Sequence, residues 1–419
     1  MPFRIALSGL DAAATDLEVT GHNIANAGTN GFKQSRAEFA DLYATSIEDV
    51  SATAAGRGVR VTRVAQQFSQ GNVDFTGNNL DVAINGEGFF VLHDDAGNVS
   101  YTRAGAYGMD RDGYVVNHAG ERLQVFQPTD STGTRFNTGT TVDLVLPAIS
   151  GTPSATTTLN AALNLSSTET EPALPFDPTN ATTYNHSSST TVYDTLGEAH
   201  TMTMYYRRTA NAGEWTAYTY IDGNQVTANS PATINFDSNG GLQTSSGSID
   251  ASGRMTIAYD PLGTGSLANG ASAMNIEFDY NLTTQFGSDF AVNDLTQNGY
   301  TAGRLSGIDI DNTGVVFARF TNGQSQALGK IALARFNNDQ GLRQLGDTRW
   351  AETFTSGDVQ LGEAGTSSFG LLQSGALENS NVDIAEQLVG LITAQRNYQA
   401  NAQVITTADA ITQTIINIR

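Results

Sequence analysis

Cysteine is absent from all 419 residues. That excludes disulfides, thiolate metal sites and cysteine nucleophiles together. Lysine is nearly absent, occurring only at Lys33 and Lys330. Charged residues make up 15% of the chain, against about 25% in an average globular protein. What charge there is leans one way: 42 Asp and Glu face 21 Lys and Arg, a formal net charge of -21. Neutralising phosphates needs a basic surface, so nucleic acid is excluded as a partner, and an anionic membrane is disfavoured for the same reason. No apolar run approaches the ~18 residues of a spanning helix, so no membrane insertion is expected. Met1 to Leu10 lacks the basic region and long apolar core of a secretory signal peptide; a chain that leaves the cell is expected to use another route.

Chemistry-bearing motifs are missing too. The five histidines, His22, His93, His118, His186 and His200, show no H-x-x-x-H spacing. Gly86-Glu-Gly lacks the rest of a phosphate loop, and there is no G-x-S-x-G elbow. Asp309-Ile-Asp311 starts like a calcium loop, but Phe320 stands where the bidentate Glu is needed. Asp110-Arg-Asp112 reaches Glu121, but Val115 occupies the glycine position. The expectation is a protein with no catalytic residue, no cofactor and no metal.

What is present is organised from both ends inward. Phe3, Leu7, Leu10, Ala14, Leu17, Gly21 and Ile24 follow a 4-3-4-3 spacing, a heptad stripe. Ile384, Leu388, Leu391, Gln395, Tyr398, Ala402, Ile405, Asp409, Thr412 and Ile416 continue the same alternation at the other end. Asn379, Ser380 or Asn381 is read as the cap of that helix, with Asp383 in its first turn. Gln395, Asp409 and Thr412 spoil the seam. Each helix alone therefore buries too little to be stable, and needs either the other helix or copies of itself. Two readings follow: a helix pair packed on a globular body, or a polymerisation handle made from both termini.

Between the ends the chain reads as β. Asn85-Gly86 lies between the apolar runs Val82–Ile84 and Phe89–Leu92 and reads as a hairpin turn. The stretches 101–127 and 308–326 share a pattern, a Gly turn followed by Val115-Val116 or Val315-Val316, and read as related hairpins on one β domain. Five of the nine prolines fall between 147 and 178 among many Ser and Thr, which marks the entry to an insertion. Thr201–Tyr206 and Trp215–Ile221 alternate with period two, as half-buried strands do. The fold class is α+β, mainly β, with nested discontinuous domains. The terminal helical domain takes 1–30 and 380–419, linkers take 31–71 and 355–379, an inner β domain takes 72–149 and 284–354, and an inserted outer β domain takes 150–283.

Two motifs carry a resemblance. Asn23-Ile-Ala-Asn26-Ala-Gly-Thr29-Asn-Gly31-Phe32-Lys33, with Ser8-Gly-Leu10 before it and Arg36–Tyr43 after it, closely resembles the N-terminal signature of the bacterial flagellar rod and hook proteins. Leu377-Glu-Asn-Ser380-Asn381-Val382-Asp383 and Ala394-Gln395-Arg396-Asn-Tyr398-Gln-Ala-Asn401 resemble that family's C-terminal motifs. His22 stands where the family often has Asn, and Asn298 replaces a common Asp. Inside the insertion, Val192-Tyr-Asp-Thr-Leu-Gly-Glu-Ala-His200, Thr284–Phe290 and Thr321–Gln324 are similar to the hook branch, with Thr195 where Ser is usual.

The resemblance implies a structural subunit of a curved tubular polymer that transmits torque from rod to filament. A straight distal-rod subunit is the alternative, disfavoured by the large insertion. It also implies the partners: other copies of the chain, rod, hook-cap and hook–filament junction proteins, and the flagellar type III export apparatus. The place is extracellular, in the flagellar hook, reached without a cleaved signal peptide. The termini are expected to stay unfolded until neighbours complete their burial.

Overall fold

The computed structural model describes residues 2–42, 56–130, 133–147, 152–226, 228–244, 246–366 and 368–417. The chain is mainly β with a helix at each end, and it divides into two compact units. Unit 1 comprises Met1–Ala148, Ser306–Arg319 and Ser325–Arg419; unit 2 comprises Ile149–Leu305 with Phe320–Gln324. No helix among the described residues is long and apolar enough to cross a membrane.

In unit 1 the two halves of the chain share one antiparallel sheet. Ser325–Arg335, eleven residues long, pairs with Val315–Phe320, Arg122–Pro128, Phe89–His93 and Gln360–Glu363. Ile331, Leu333, Val125 and Leu92 are fully buried there. The two Val-Val segments of the sequence reading lie on this sheet: Val115–Val116 pairs with Arg122–Pro128 and Val315–Phe320 with Ser325–Arg335, and those two partner strands join at Lys330↔Phe126 and Ile331↔Val125. The chain ends pair again: Val73–Phe75 with Ala376–Glu378, and Val82–Asn85 with Leu371–Ser374.

The last pairing corrects the Asn85-Gly86 hairpin. Val82–Asn85 and Phe89–His93 lie in different sheets, so Gly86 and Gly88 form a crossover with φ of 121° and 128°. A Cβ on Gly86 would stand 2.8 Å from the Gly370 backbone. Both runs are buried on both faces, so alternation could not tell one sheet from two.

The segments read as linkers carry regular structure. Ser35–Asp41 and Val59–Gln66 form an antiparallel pair from Ser35↔Gln66 to Asp41↔Val59, with a one-residue register shift between Glu38 and Phe39. Gln360–Glu363, Leu371–Ser374 and Ala376–Glu378 are strands. Residues 43–55 lie outside the described residues.

Unit 2 holds a four-stranded and a five-stranded sheet around one core. Along Glu214–Ile221 every second residue is buried, Trp215, Ala217, Thr219 and Ile221 completely, as period two requires. The unit extends past 283 because Ala291–Gln297 pairs antiparallel with Thr158–Asn164 and completes the four-stranded sheet. The His186 ring stacks on Phe290 at 4.3 Å, and its Nε2 lies 3.5 Å from Glu169 Oε1. Burial holds its pKa below the usual histidine value, only partly opposed by Glu169. A depressed histidine pKa gives stability that is complete above the unfolded value of about 6.5 and is lost as pH falls through the folded value. In a Trp350→Phe background, urea denaturation read from Trp215 fluorescence should therefore show the chain with His186 losing more stability than the one with His186→Phe between pH 7.5 and pH 5. Parallel losses in both would count against it.

Candidate functional site: the terminal helices and their junction

Helix α1 spans Pro2–Ala25 and helix α2 spans Ile384–Asn417, 24 and 34 residues. Asp383 caps α2: its Oδ1 accepts from the N–H of Ala385 at 2.8 Å and of Glu386 at 3.2 Å. This places the cap two residues later than the Asn379–Asn381 reading, because Ser380 and Asn381 are used elsewhere.

The helices pair antiparallel, with Gly9 against Asn401 and Asn23 against Gln387. The face of α1 that is buried is not the apolar stripe. Ala6, Ala12, Ala13, Thr20 and Asn23 are buried, covered by α2 and by the hairpin 35–66. Ala6, Gly9, Ala13, Asp16, Thr20 and Asn23 form a second seam of the same 3-4 spacing, built of small and polar residues. Asp16 is drawn into it, and burial raises its carboxyl pKa. Small side chains let the backbones approach: a Cβ on Gly9 would stand 2.5 Å from Asn401 Oδ1. On α2, Ala394 is the deeply buried residue, with Leu391, Asn401, Ala402 and Ile405 half-buried.

The large apolar residues are left outside. Phe3 is 47% exposed and Leu388 46%, and Leu7, Ile384, Tyr398 and Ile416 are exposed as well. Leu10, Leu17 and Ile24 are half-buried. Gln395 and Arg396 face outward. Beyond the start of α1, an open groove of about 660 Å³ is lined by Phe3, Val404, Thr407, Ala408, Ile411 and Thr412. The heptad stripe read from the sequence is thus not the seam that joins α1 to α2.

Gly9→Leu should loosen the pair. Leucine is the better helix former, by up to ~1 kcal/mol, yet overpacking this contact should cost about 1–3 kcal/mol. Amide exchange of α2 near Ala394 should speed up relative to wild type; unchanged exchange would show that α1 and α2 do not meet at Gly9.

Below the helices the two signature motifs interlock. Asn23, 1% exposed, donates from Nδ2 to Ser35 O at 2.7 Å and Gln387 Oε1 at 3.0 Å, and accepts from Ser35 N–H at 2.8 Å. Asn381 accepts from Gln34 N–H at 2.7 Å and donates to Gln67 O and Ser69 O. Asn26 accepts from Thr29 Oγ1, shaping the turn after α1, and Ser380 Oγ accepts from Val382 N–H. Gly31 takes φ of 68° and packs on the backbone at Arg103–Ala104, where a Cβ would stand 2.5 Å away. Phe32 is buried and lies against the His22 ring at 5.5 Å.

At the centre sits a buried charge triad. Lys33 Nζ donates to Glu378 Oε1 at 2.6 Å and to Ser69 O at 2.8 Å. Glu378 Oε1 also accepts from Gly71 N–H at 3.0 Å. Arg103 donates to Glu378 Oε2 at 3.3 Å and to Gly86 O at 2.8 Å. Both ion-pair side chains of Lys33 and Glu378 are wholly shielded from solvent. Burial lowers the pKa of Lys33 and of Arg103, and in each case Glu378 opposes the shift. Arg103 was not singled out from the sequence, and Glu378 stood there only as a residue of the Leu377–Asp383 motif, with nothing local to pair either with Lys33.

Similarity to known proteins runs along the whole chain. Residues 3–33 match the "Flagella basal body rod protein" model, and 83–160 the "Flagellar hook protein FlgE/F/G D1 domain". Residues 164–300 match the "Flagellar basal body protein FlaE D2 domain", and 373–418 the "Flagellar basal body rod FlgEFG protein C-terminal". The flagellar hook protein FlgE of Salmonella typhimurium is 39% identical over 427 residues, covering 100% of both chains. The chain belongs to the flagellar hook protein family. The hook protein of Borreliella burgdorferi is 34% identical over 441 residues, covering 99% of this chain and 98% of its own. The Helicobacter pylori hook protein FlgE2 shares the fold, with a TM-score of 0.53 at 14% identity, over 73% of this chain and 100% of its own. The protein is therefore a structural subunit of the flagellar hook, part of a polymer of hook subunits in the basal body.

Proposed function

We propose that the two seams of the helices have separate tasks. The small-residue seam closes α1 onto α2 within a subunit. The apolar residues left outside, Phe3, Leu7, Ile384, Leu388 and Ile416, join one copy to the next in the tube. The single observation that supports this reading is the exposure of the large apolar residues Phe3, Leu7, Ile384, Leu388 and Ile416 while Ala6, Ala12, Ala13 and Ala394 are buried. A lone globular protein would place those residues the other way round. Heterologous contacts of this kind extend into a tube without closing into a small ring.

The polymer so built acts as a universal joint, curved, passing torque from rod to filament. Its partners are the rod, the hook cap and the hook–filament junction proteins. The subunit reaches its extracellular place through the flagellar type III export apparatus, without a cleaved signal peptide. A cysteine-free chain with weakly self-sufficient termini suits passage through a narrow channel, and residues 1–30 and 380–419 fold fully only when neighbours arrive. Unit 2, with twelve Asp and Glu against three Arg between 150 and 283, tunes curvature through weak, salt-screened contacts, while unit 1 builds the tube.

Removing unit 2 tests the division. A chain joining residue 148 to residue 306 by a short Gly-Ser linker should still form tubes, straighter than native hooks by electron microscopy. Failure to form any tube, with Trp350 still buried in a folded unit 1, would place unit 2 in the wall.

A further inference from the structure

In unit 2, three side chains that the hook role leaves unused converge. Asp194 and Glu198 belong to the turn between the strands His186–Tyr193 and Ala199–Arg208, and His200 to the start of the second. Each offers a ligand atom, and these atoms lie within 4.8 Å of one another. Asp194 is fully buried. Its Oδ1 is fixed by the N–H groups of Leu196 at 2.8 Å and Glu198 at 2.9 Å, which aims Oδ2 at His200 Nε2, 3.3 Å away.

The imidazole is held from behind. Its Nδ1 lies 2.6 Å from Asp222 Oδ2, in the turn after Glu214–Ile221. With Nδ1–H donating to that carboxylate, Nε2 faces the Asp194 oxygen at 3.3 Å, where a proton or a metal ion can lie between them. A carboxylate behind a histidine is the arrangement that orients metal-bound imidazoles. Asn269 Nδ2, a neutral amide, donates to Asp194 Oδ2 at 2.5 Å and to Glu198 Oε2 at 2.6 Å. Among the described residues no Lys or Arg comes within ion-pair distance of Asp194, Glu198 or Asp222. Three carboxylates thus share one histidine, and a buried carboxylate needs full compensation.

We propose that this cluster binds a divalent transition-metal ion of the zinc class, with Asp194, Glu198 and His200 as ligands and Asp222 orienting His200. Two ligands bound at about 2.0 Å in tetrahedral geometry stand about 3.3 Å apart, which is the separation of Asp194 Oδ2 and His200 Nε2. An imidazole nitrogen suits zinc, whereas magnesium and calcium take oxygen ligands. The sequence reading passed over the site because it sought paired histidines; the spacing here is Asp-x-x-x-Glu-x-His. The ion would tie the 194–198 turn, through His200, to the turn at Asp222.

The test uses the full-length chain freed of metal by chelation, with Trp350→Phe so that Trp215 alone reports unfolding. Equilibrium dialysis against zinc chloride should give one zinc per chain, and zinc should raise the Tm of the Trp215 transition where magnesium does not. Glu198→Gln, at an exposed position that leaves the fold intact, should abolish the zinc-dependent rise. Asp222→Asn should weaken zinc binding about 10- to 100-fold. Cobalt should give the visible absorption of a tetrahedral site. No stoichiometric zinc in the wild type would overturn the assignment, and so would undiminished binding in both variants.

Discussion

Glu378→Gln should destabilise unit 1 by about 3–5 kcal/mol, the cost of breaking a buried ion pair by removing one partner. Glu378 is the only acid of the triad and faces two cations, Lys33 at 2.6 Å and Arg103 at 3.3 Å. The amide keeps the shape and one acceptor but leaves both cations buried and repelling. Lys33→Met should cost less, because Glu378 keeps Arg103 and the charge remaining is balanced. The order of the two losses therefore distinguishes a charge triad from simple packing, which would rank them the other way or equally. The two tryptophans make the measurement clean: with Trp215→Phe, Trp350 of unit 1 is the only reporter. Urea midpoints for the two variants in that background give the comparison. Equal midpoints, or a more stable Glu378→Gln, would remove the triad from the account.

Leu388→Asp should abolish hook assembly and leave the free subunit as stable as wild type. At 46% exposure Leu388 contributes little within one chain. In the tube, the same carboxylate would be buried against apolar neighbours without a partner, at several kcal/mol. Each 1.4 kcal/mol is a factor of ten in equilibrium, so the concentration needed for polymerisation should rise at least about a hundredfold. Sedimentation of polymer against total protein measures it, with Trp350 fluorescence as the check on folding. Tubes at the wild-type concentration would show that Leu388 stays wet in the polymer.

The sequence revealed these helices through their 3-4 spacing, but not which stripe faces inward. Apolar content predicts burial only if the chain folds alone; here the Ala6–Gly9–Ala13 stripe takes the intramolecular contact because small residues permit close backbone approach. Asn23, Lys33 and Asn381 were legible as motif residues. Glu378 lay within the second motif, but its pairing with Lys33, that of Asn23 with Gln387, and the part of Arg103 were not legible, since these residues meet across as many as 364 positions and nothing local encodes the pairing. Period two located the Trp215 strand because one of its faces is buried and the other is not. It failed at Val82–Leu92, where both faces are buried, and it was present only over Val59-Arg-Val61-Thr62 before Arg63 and Val64 break the phase, in a strand that turned a supposed linker into a hairpin.

The central claim, that the exposed apolar stripe joins copies in the tube, can be tested by thiol labelling, since the native chain has no cysteine. Single cysteines at Leu7, Leu388 and, as a control in unit 2, the exposed Leu262 would each be treated with a maleimide as free subunit and as assembled hook. The account predicts that all three label quickly in the subunit, and that in the hook Leu7→Cys and Leu388→Cys are protected while Leu262→Cys is not. Labelling of Leu7→Cys and Leu388→Cys in the hook at the rate of Leu262→Cys would contradict it.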